Sequence, residues 1–485
     1  MKVHILNRAV TLTAEPGENL LKLLQRHGLV IDAPCGGNGT CGKCKVTVDG
    51  QPALACKTLV DRNMDVILPE TARTQILAKG LKVQAQPDGT DSYTLAFDIG
   101  TTTVVAYLLD GCTGALLTQS SCVNPQTQFG ADVISRIQYA MDVDAQALSS
   151  VLKNALADLT WKAARAANIA PQRITAVSLV GNTAMHHLLL GIDPKPLTVP
   201  PYMPSVSHAM EYPAADFLPV HKDATARILP NIAGFVGADT VGCLVATRFD
   251  RLEELTLMID IGTNGEMVLG DQNGFLACST AAGPAFEGAK ISCGMRGAMG
   301  AVDHVWLEDG EICWSVIGGG VAKGLCGSGL LDLVSVLLQT GDIDETGRME
   351  DGTFCLGDTQ VYLTQKDVRE VQLAKAAIRA GIELMCKKRK VSPEDIQKVY
   401  LAGAFGNYMD PASACAIGLI PPVLQARIEP IGNAAGEGAK LCALSAGEFA
   451  YSKNLAEKAE FLELASMPEF NDCYVDCLLF EEDEE

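Results

Sequence analysis

No run of eighteen apolar residues occurs in this chain, so no segment is built to cross a membrane as a helix. The first residues, Met1-Lys-Val-His-Ile-Leu-Asn7, lack the apolar core of a secretory signal. Basic residues are scarce: 38 Lys and Arg stand against 58 Asp and Glu, for a net charge of −20. Such a surface repels phosphate backbones and anionic lipid, which excludes nucleic-acid and membrane partners. The 17 cysteines are an odd count for a secreted disulfide framework. Most of those outside one dense group stand singly, many in apolar runs, as free thiols do in a reducing cytoplasm. Charged residues make up only 20% and hydrophobic ones 48% of 485 residues, enough to bury large cores in about three domains. The acidic end, Glu481–Glu485, reads as a solvated terminus.

The dense group is Cys35-Gly-Gly-Asn-Gly-Thr-Cys41-Gly-Lys-Cys44, with Cys56 close behind. An iron–sulfur cluster needs four soft thiolates close together. Three come here from one loop and the fourth from a neighbouring strand. Glycines 36, 37, 39 and 42 permit tight turns with φ > 0 and bring backbone N–H groups near sulfur. Lys45–Val48, the Asp49-Gly50 turn and the return to Cys56 read as a hairpin that sets Cys56 opposite Lys43, beside Cys44. Pro52 makes the return strand an edge. The reading is a [2Fe–2S] site with Cys35, Cys41, Cys44 and Cys56 as ligands. The alternatives are a zinc knuckle, which favours two Cys-x₂-Cys pairs where only one is present, and inert cysteines. Cys473 and Cys477 are read as structural.

Residues 1–68 form a small unit: a Lys2–Leu6/Val10–Thr13 hairpin, a helix over Glu18–His27, the cysteine loop and its hairpin. Residues 69–92 read as a turn-rich linker. Lobe-sized units follow at 93–250 and 251–465, then an acidic tail at 466–485. Strands are expected at Leu95–Ile99, Thr103–Leu109, Ala176–Val180, Leu257–Ile261, Glu266–Leu269 and Lys398–Leu401. Helices are expected at Val133–Met141, Ala145–Ala167, Gly237–Thr247, Gly329–Leu338 and Leu373–Lys388.

Asp-Ile-Gly-Thr occurs twice, at Asp98 and at Asp260, 162 residues apart. Each copy ends one apolar strand and precedes another. A phosphate tail needs backbone donors at a tight turn, hydroxyls and a metal ion. Asp98 and Asp260 are placed to reach Mg²⁺ through its waters. Gly100 and Gly262 allow close backbone approach. Thr101, Thr102 and Thr103, with Thr263, Asn264 and Gly265, offer donors. One copy is a weak signal; a pair one lobe apart is a strong one.

With three further segments, these turns make residues ~94–460 resemble the actin, Hsp70 and sugar-kinase ATPases. Ala233–Ala246 and Ile431–Ala443 resemble that superfamily's two small-residue connecting helices, and Val399–Gly406 resembles its adenosine loop. The resemblance implies adenosine contacts from Gly403 and Ala404, and Gly327 and Ser328 are positioned like such a contact. Together with the cysteine module, the chain is similar to the reductive activators of corrinoid proteins. Further blocks carry the likeness: Asn124-Pro-Gln, Phe129-Gly-Ala-Asp-Val, Val180-Gly-Asn-Thr-Ala-Met-His-His187, Ala281–Ala289 and Gly324–Asp332. That resemblance implies an α+β β-grasp ferredoxin domain followed by a two-lobed α/β actin-like ATPase of duplicated ribonuclease-H-like lobes. It further implies a [2Fe–2S] cluster, ATP and Mg²⁺, a low-potential electron donor, and a homodimer through the ATPase part. The activity it implies is reduction of cob(II)alamin to cob(I)alamin on a corrinoid protein of a methyltransferase system. Larger relatives carry a middle domain between the two parts, whereas the connector here is only about 25 residues.

Several residues have plainer readings. His186 and His187 lead into an apolar helix and read first as packed, then as a cobalt ligand or proton donor. Glu287 is as readily a solvated loop residue as a contact. Gly327-Ser328-Gly329 reads first as a helix start. Asp239 suits either orienting a water or capping a helix. Three rival functions stand beside the main reading. One is an activator of the 2-hydroxyacyl-CoA dehydratase type, which holds a [4Fe–4S] cluster between subunits. The others are a redox-sensing kinase, for which no sugar-binding signature is present, and a chaperone-like ATPase.

Overall fold

The computed structural model describes residues 1–8, 10–27, 29, 31, 37, 39, 42, 44–69, 86–88, 91–130 and 132–480. Cys35 and Cys41, Gly36, Lys43, most of the expected linker and the acidic terminus Glu481–Glu485 lie outside the described residues.

The N-terminal part is a five-stranded sheet built from β1 (Lys2–Ile5), β2 (Val10–Thr13), β3 (Lys45–Val48), β4 (Gln51–Leu54) and β5 (Met64–Ile67), in the order β2-β1-β5-β3-β4. Helix α1 (Leu20–Arg26) covers it with Leu20, Leu21, Leu23 and Leu24, all buried. The β3–β4 turn places Asp49 and Gly50 both at positive φ, as a two-residue Asp-Gly hairpin requires. Strand β4, which carries Pro52, is the sheet edge.

Two six-stranded sheets follow. The first comprises β6 (Tyr93–Ile99), β7 (Thr103–Asp110), β8 (Leu116–Val123), β9 (Ile174–Gly181), β10 (Met210–Pro213) and β11 (Thr225–Ile228), ordered β8-β7-β6-β9-β11-β10. Helices α2 (Val133–Tyr139), α3 (Ala145–Ala166), α4 (Thr183–Leu190) and α5 (Ala238–Thr247) accompany it. The second comprises β12 (Thr256–Ile261), β13 (Gly265–Asp271) and β14 (Gly274–Thr280), then, after a small sheet containing β15 (Ala301–Glu308) and β16 (Glu311–Val316), β17 (Lys398–Ala402), β18 (Ile428–Gly432) and β19 (Ala459–Phe461). Its order is β18-β17-β12-β13-β14-β19. In both sheets three antiparallel strands run in sequence, and the next strand returns parallel to the first. The Asp-Ile-Gly-Thr repeat is therefore a repeat of topology as well as of residues. Among the helices of the second half are α6 (Gly327–Thr340), α7 (Gln365–Arg389), α8 (Gly403–Tyr408), α9 (Ala434–Leu444), α10 (Ala446–Lys458) and α11 (Phe470–Asp476), with a short helix at Pro411–Ala416 between α8 and α9.

Residues 466–480, read in the sequence as the start of an acidic tail, pack on α7. Gln372 donates to Leu478 O at 2.9 Å, Lys375 bonds Leu479 O, and Phe480 is 3% exposed. Apolar residues in this stretch outweigh its acids as a guide to burial.

Candidate functional site: a nucleotide cleft between two repeated turns, and a cysteine loop

Each repeated turn closes on itself. Gly100 N donates to Thr103 O, and Gly262 N donates to Asn264 O, both at 2.9 Å. The turns meet across a cleft. Thr102 Oγ1 donates to Glu287 at 3.2 Å, and Thr263 Oγ1 donates to the same carboxylate at 2.5 Å. The first turn is braced from behind: Asn124 donates to Gly100 O at 2.8 Å, Asn182 donates to Thr101 Oγ1 at 3.0 Å, and Arg136 donates to Thr101 O at 2.5 Å.

Asp98 and Asp260 end β6 and β12 at the floor of this cleft. Asn433, the N-cap of α9, donates to Asp98 Oδ2 at 2.7 Å and to the Tyr107 hydroxyl at 3.0 Å. Gly403 lies against Asp260, where an added Cβ would come within 2.5 Å of Oδ1. Four acids share the site. Burial, then the neighbouring Asp98 charge, pushes the Asp260 carboxyl up to about 6. Burial, with the charges of Asp260 and Asp98, pushes Asp239 up to about 7. Burial also raises Asp98, against the Asn433 hydrogen bond, and burial with Asp239 and Asp260 raises Glu266 well above its ordinary value. Acids that repel one another in a dry site are stabilised by a divalent cation. Among the described residues no three such side chains converge to ligate an ion directly. A Mg²⁺ held through its own waters needs no such convergence.

Helices α5 and α9 cross beneath the cleft. A Cβ at Gly438 would overlap the Gly242 carbonyl oxygen, and a Cβ at Gly242 would lie 2.9 Å from Ala435 O. The small-residue runs predicted to let two connecting helices approach closely do so at these glycines.

Not every expected contact opens on the cleft. Gly327 begins α6, but a Cβ there would overlap the Phe286 carbonyl and lie 2.9 Å from the Phe405 ring. Ser328 is 4% exposed, with its Oγ 3.4 Å from Cys326 Sγ. Ala404 is exposed. His186 and His187 are packed. Asn231 Nδ2 donates to His186 Nδ1 at 2.7 Å, and His187 lies between Thr183 O at 2.7 Å and Ser205 N at 3.1 Å. Burial pushes His186 down to about 4, so it stays neutral. Sequence reasoning missed Arg136, Glu266 and Asn433 as site residues. Each left a signal: Arg136 follows Val133 by three on an apolar helix face, Glu266 interrupts an apolar strand, and Asn433 precedes a helix of small residues.

In the N-terminal part, Gly37, Gly39 and Gly42 have φ of +88°, +75° and +65°, as the loop demanded. A Cβ on Gly37 would lie 3.9 Å from Cys56 Cβ, and one on Gly39 would lie 2.6 Å from Lys57 Cε. The loop therefore folds back on the segment bearing Cys56. Cys44 is fully buried, its carbonyl accepting from Ala55 N at 2.9 Å, and Asn19 donates to Cys56 O at 2.9 Å. The two described cysteines and the glycine turns fit a thiolate cluster at the loop.

Models of known families match three segments of the chain. Residues 3–65 match the 2Fe-2S iron-sulfur cluster binding domain, 93–252 the RACo middle region, and 254–485 the C-terminal domain of RACo, the ASKHA domain. The middle region is therefore present, as the first six-stranded sheet and its helices, and the short connector does not mark a missing middle domain as the sequence suggested. The corrinoid activation enzyme RamQ of Eubacterium limosum is 37% identical over 413 residues, 79% of this chain and 69% of that protein. The [Co(II) methylated amine-specific corrinoid protein] reductase of Methanosarcina barkeri is 30% identical over 270 residues, 51% of this chain and half of that protein. The solved structure of a reductive activator for corrinoid, iron-sulfur protein superposes with a TM-score of 0.72 at 28% identity, covering 99% of this chain and 98% of that one. An iron–sulfur module joined to a duplicated ATPase, related along nearly its whole length to such an activator, makes this chain a member of the RACo family of ATP-dependent reductive activators of corrinoid proteins.

Proposed function

We propose that this chain spends ATP to drive one-electron reduction of cob(II)alamin to cob(I)alamin on a corrinoid protein of a methyltransferase system, taking electrons from a low-potential donor. The observation that carries the reading is the union of a cysteine loop and a two-lobed nucleotide cleft in one chain, with small-residue helices crossing beneath the cleft. Cys35, Cys41, Cys44 and Cys56 are the residues that would hold the cluster, which supplies single electrons near roughly −400 mV if it is of the plant type. Each ~59 mV of mismatch with the acceptor costs tenfold in a one-electron equilibrium, so an acceptor several such steps lower needs an outside drive. Differential binding of nucleotide states to two lobe arrangements is able to provide it.

In this reading Asp98 and Asp260 hold the hydrated Mg²⁺, with Asn433 fixing the Asp98 carboxylate. Gly100, Thr101, Thr102 and Thr103 donate to the phosphates from one lobe, and Gly262, Thr263, Asn264 and Gly265 from the other. Asp239 orients the attacking water, a role suited to a carboxyl that titrates near neutrality. Gly403 and Ala404 contact the nucleoside beside the Gly327–Ser328 helix start. The base is seated one turn further along those helices, in an open pocket of about 490 Å³ lined by His304, Trp306, Asp332, Asn407 and Tyr408. Asp332 Oδ2 accepts from Val305 N at 3.3 Å, and its buried Oδ1 has no hydrogen-bond partner among the described residues. The domain division is 1–68, a linker to 92, and lobes at 93–250 and 251–465, the remainder packing on the second lobe. A homodimer through the ATPase part belongs to the same reading.

The test is anaerobic purification followed by the visible spectrum, iron and sulfide per chain, and reduction of a cob(II)alamin-bearing corrinoid protein with and without Mg·ATP. Two irons per chain and nucleotide-dependent reduction are expected. Reduction as fast and as complete without nucleotide would overturn the coupling. ATP-driven delivery to another low-potential enzyme would leave the spectrum intact and the corrinoid protein oxidised.

A further inference from the structure

Glu287 belongs to neither phosphate turn, yet it touches both. Its two oxygens accept from Thr102 Oγ1 and Thr263 Oγ1, hydroxyls that start from opposite sheets. These are two of the donors a nucleotide's phosphates would need. A second observation points the same way. Arg136 is fully buried, and its guanidinium bonds Thr101 O, Gly130 O and the Met185 sulfur, all uncharged. Desolvation weakens its charge; Asp132 and then Glu287 are the anions that support it. The cleft thus holds a pair of hydroxyls answered by one carboxylate, and behind the first turn lies a buried cation whose charge Asp132 supports first and Glu287 second.

We propose that Glu287 is an internal stand-in for the terminal phosphate: its carboxylate bridges Thr102 and Thr263 across the cleft, and a nucleoside triphosphate, but not a diphosphate, must displace it. Two anions do not share the same donors beside one another in a dry site. Displacement does not stop at the carboxylate. Glu287 closes the short Ala285–Glu287 turn, followed by Gly288 at φ +75°, where an added Cβ would lie 2.5 Å from Met295 O. Phe286 in that turn stacks on Phe405 of α8, with centroids 4.8 Å apart and planes 15° from parallel, and its carbonyl abuts Gly327 at the start of α6. Moving Glu287 therefore moves the turn that packs on both helices, which gives the protein a physical means of telling ATP from ADP away from the phosphates. The inference rests on the Mg·ATP reading of the cleft.

The full chain with its cluster is titrated calorimetrically with Mg·ADP and with a non-hydrolysable Mg·ATP analogue, as wild type, E287Q and E287A. Glutamine keeps the shape and loses the charge, so it serves if the alanine variant unfolds. Both variants are expected to bind the triphosphate analogue about tenfold more tightly, the scale of a charge-assisted contact no longer displaced, with ADP affinity nearly unchanged. Weaker analogue binding would make Glu287 a nucleotide ligand and overturn the proposal. Equal changes for both nucleotides, or none, would overturn it too. Failure of the wild type to bind either nucleotide would sink the cleft reading itself, whereas binding with unaltered discrimination in the variants sinks this inference alone.

Discussion

Replacing Gly438 with alanine tests the hinge most directly. The new Cβ would overlap the Gly242 carbonyl oxygen and lie 2.5 and 2.6 Å from that residue's carbon and Cα. All three are backbone atoms within α5, so no side chain can swing away. Helices α5 and α9 must separate by roughly 1 Å to restore ordinary contact. Overpacking of this kind costs about 1–3 kcal/mol, against about 1 kcal/mol gained because alanine favours a helix. Strain against rigid backbone lies at the upper end, so a net loss of about 2 kcal/mol is expected, a fall of roughly 4–8 °C in the ATPase transition for lobes of this size. Two companions calibrate it. Gly242→Ala meets Ala435 O at 2.9 Å and Ala435 Cα and Val180 Cγ1 at 3.3 Å, none of them as close as the Gly438 contacts, and should cost less. Gly447→Ala in α10 meets nothing closer than 3.4 Å and should be neutral or mildly stabilising. Differential scanning calorimetry gives the stability order, steady-state ATPase gives the consequence for closure, and the visible spectrum should be the same in all three. If Gly438→Ala melted and turned over like Gly447→Ala, the two glycines would not set the helix crossing, and the hinge argument would fail.

The nucleotide-free protein should lose stability as pH rises from about 4 towards 7. Asp260 and Asp239 hold protons in the folded cleft up to about 6 and about 7, whereas the unfolded chain has released them near the ordinary value of 3.8. Folded-state proton uptake therefore stabilises below those values and is lost above them; Mg²⁺ with nucleotide should flatten the slope, and Asp239→Asn should reduce it in the apo protein, both read from melting temperature against pH. Asn433→Asp keeps the α9 cap but sets a second carboxylate against Asp98, so nucleotide affinity should fall about tenfold or more at low Mg²⁺ while the fold survives; Asn433→Ala should instead cost about 1–2 kcal/mol through the lost cap. Cys56→Ser should remove the cluster absorbance and iron while leaving ATPase activity in place, and Cys477→Ser should do neither; an intact spectrum in Cys56→Ser would move the fourth ligand elsewhere.

Much of this architecture was legible because it is local. Short continuous apolar runs ending in Asp-Ile-Gly-Thr specify a strand and a tight turn with no help from distant residues, and the hairpin at Asp49-Gly50 follows from the backbone those two residues adopt. The glycines of the cysteine loop and of the connecting segments announced positive φ and close approach in the same way. What the chain alone left open were choices that depend on what lies opposite. Ser328 reads as a helix start that could also be a contact until Phe286 and Phe405 are seen to lie against Gly327 beside it. Glu287 is an ordinary loop acid until two threonines, 185 and 24 residues away in the chain, converge on it. Asn433 is a helix cap until Asp98, 335 residues distant, is found in its reach. Sequence thus determined many of the elements and the duplication, because propensity and turn chemistry act over a few residues. Tertiary structure alone decided which charges share a dry cleft, because desolvation and Coulomb repulsion depend on distances that only the packed lobes establish.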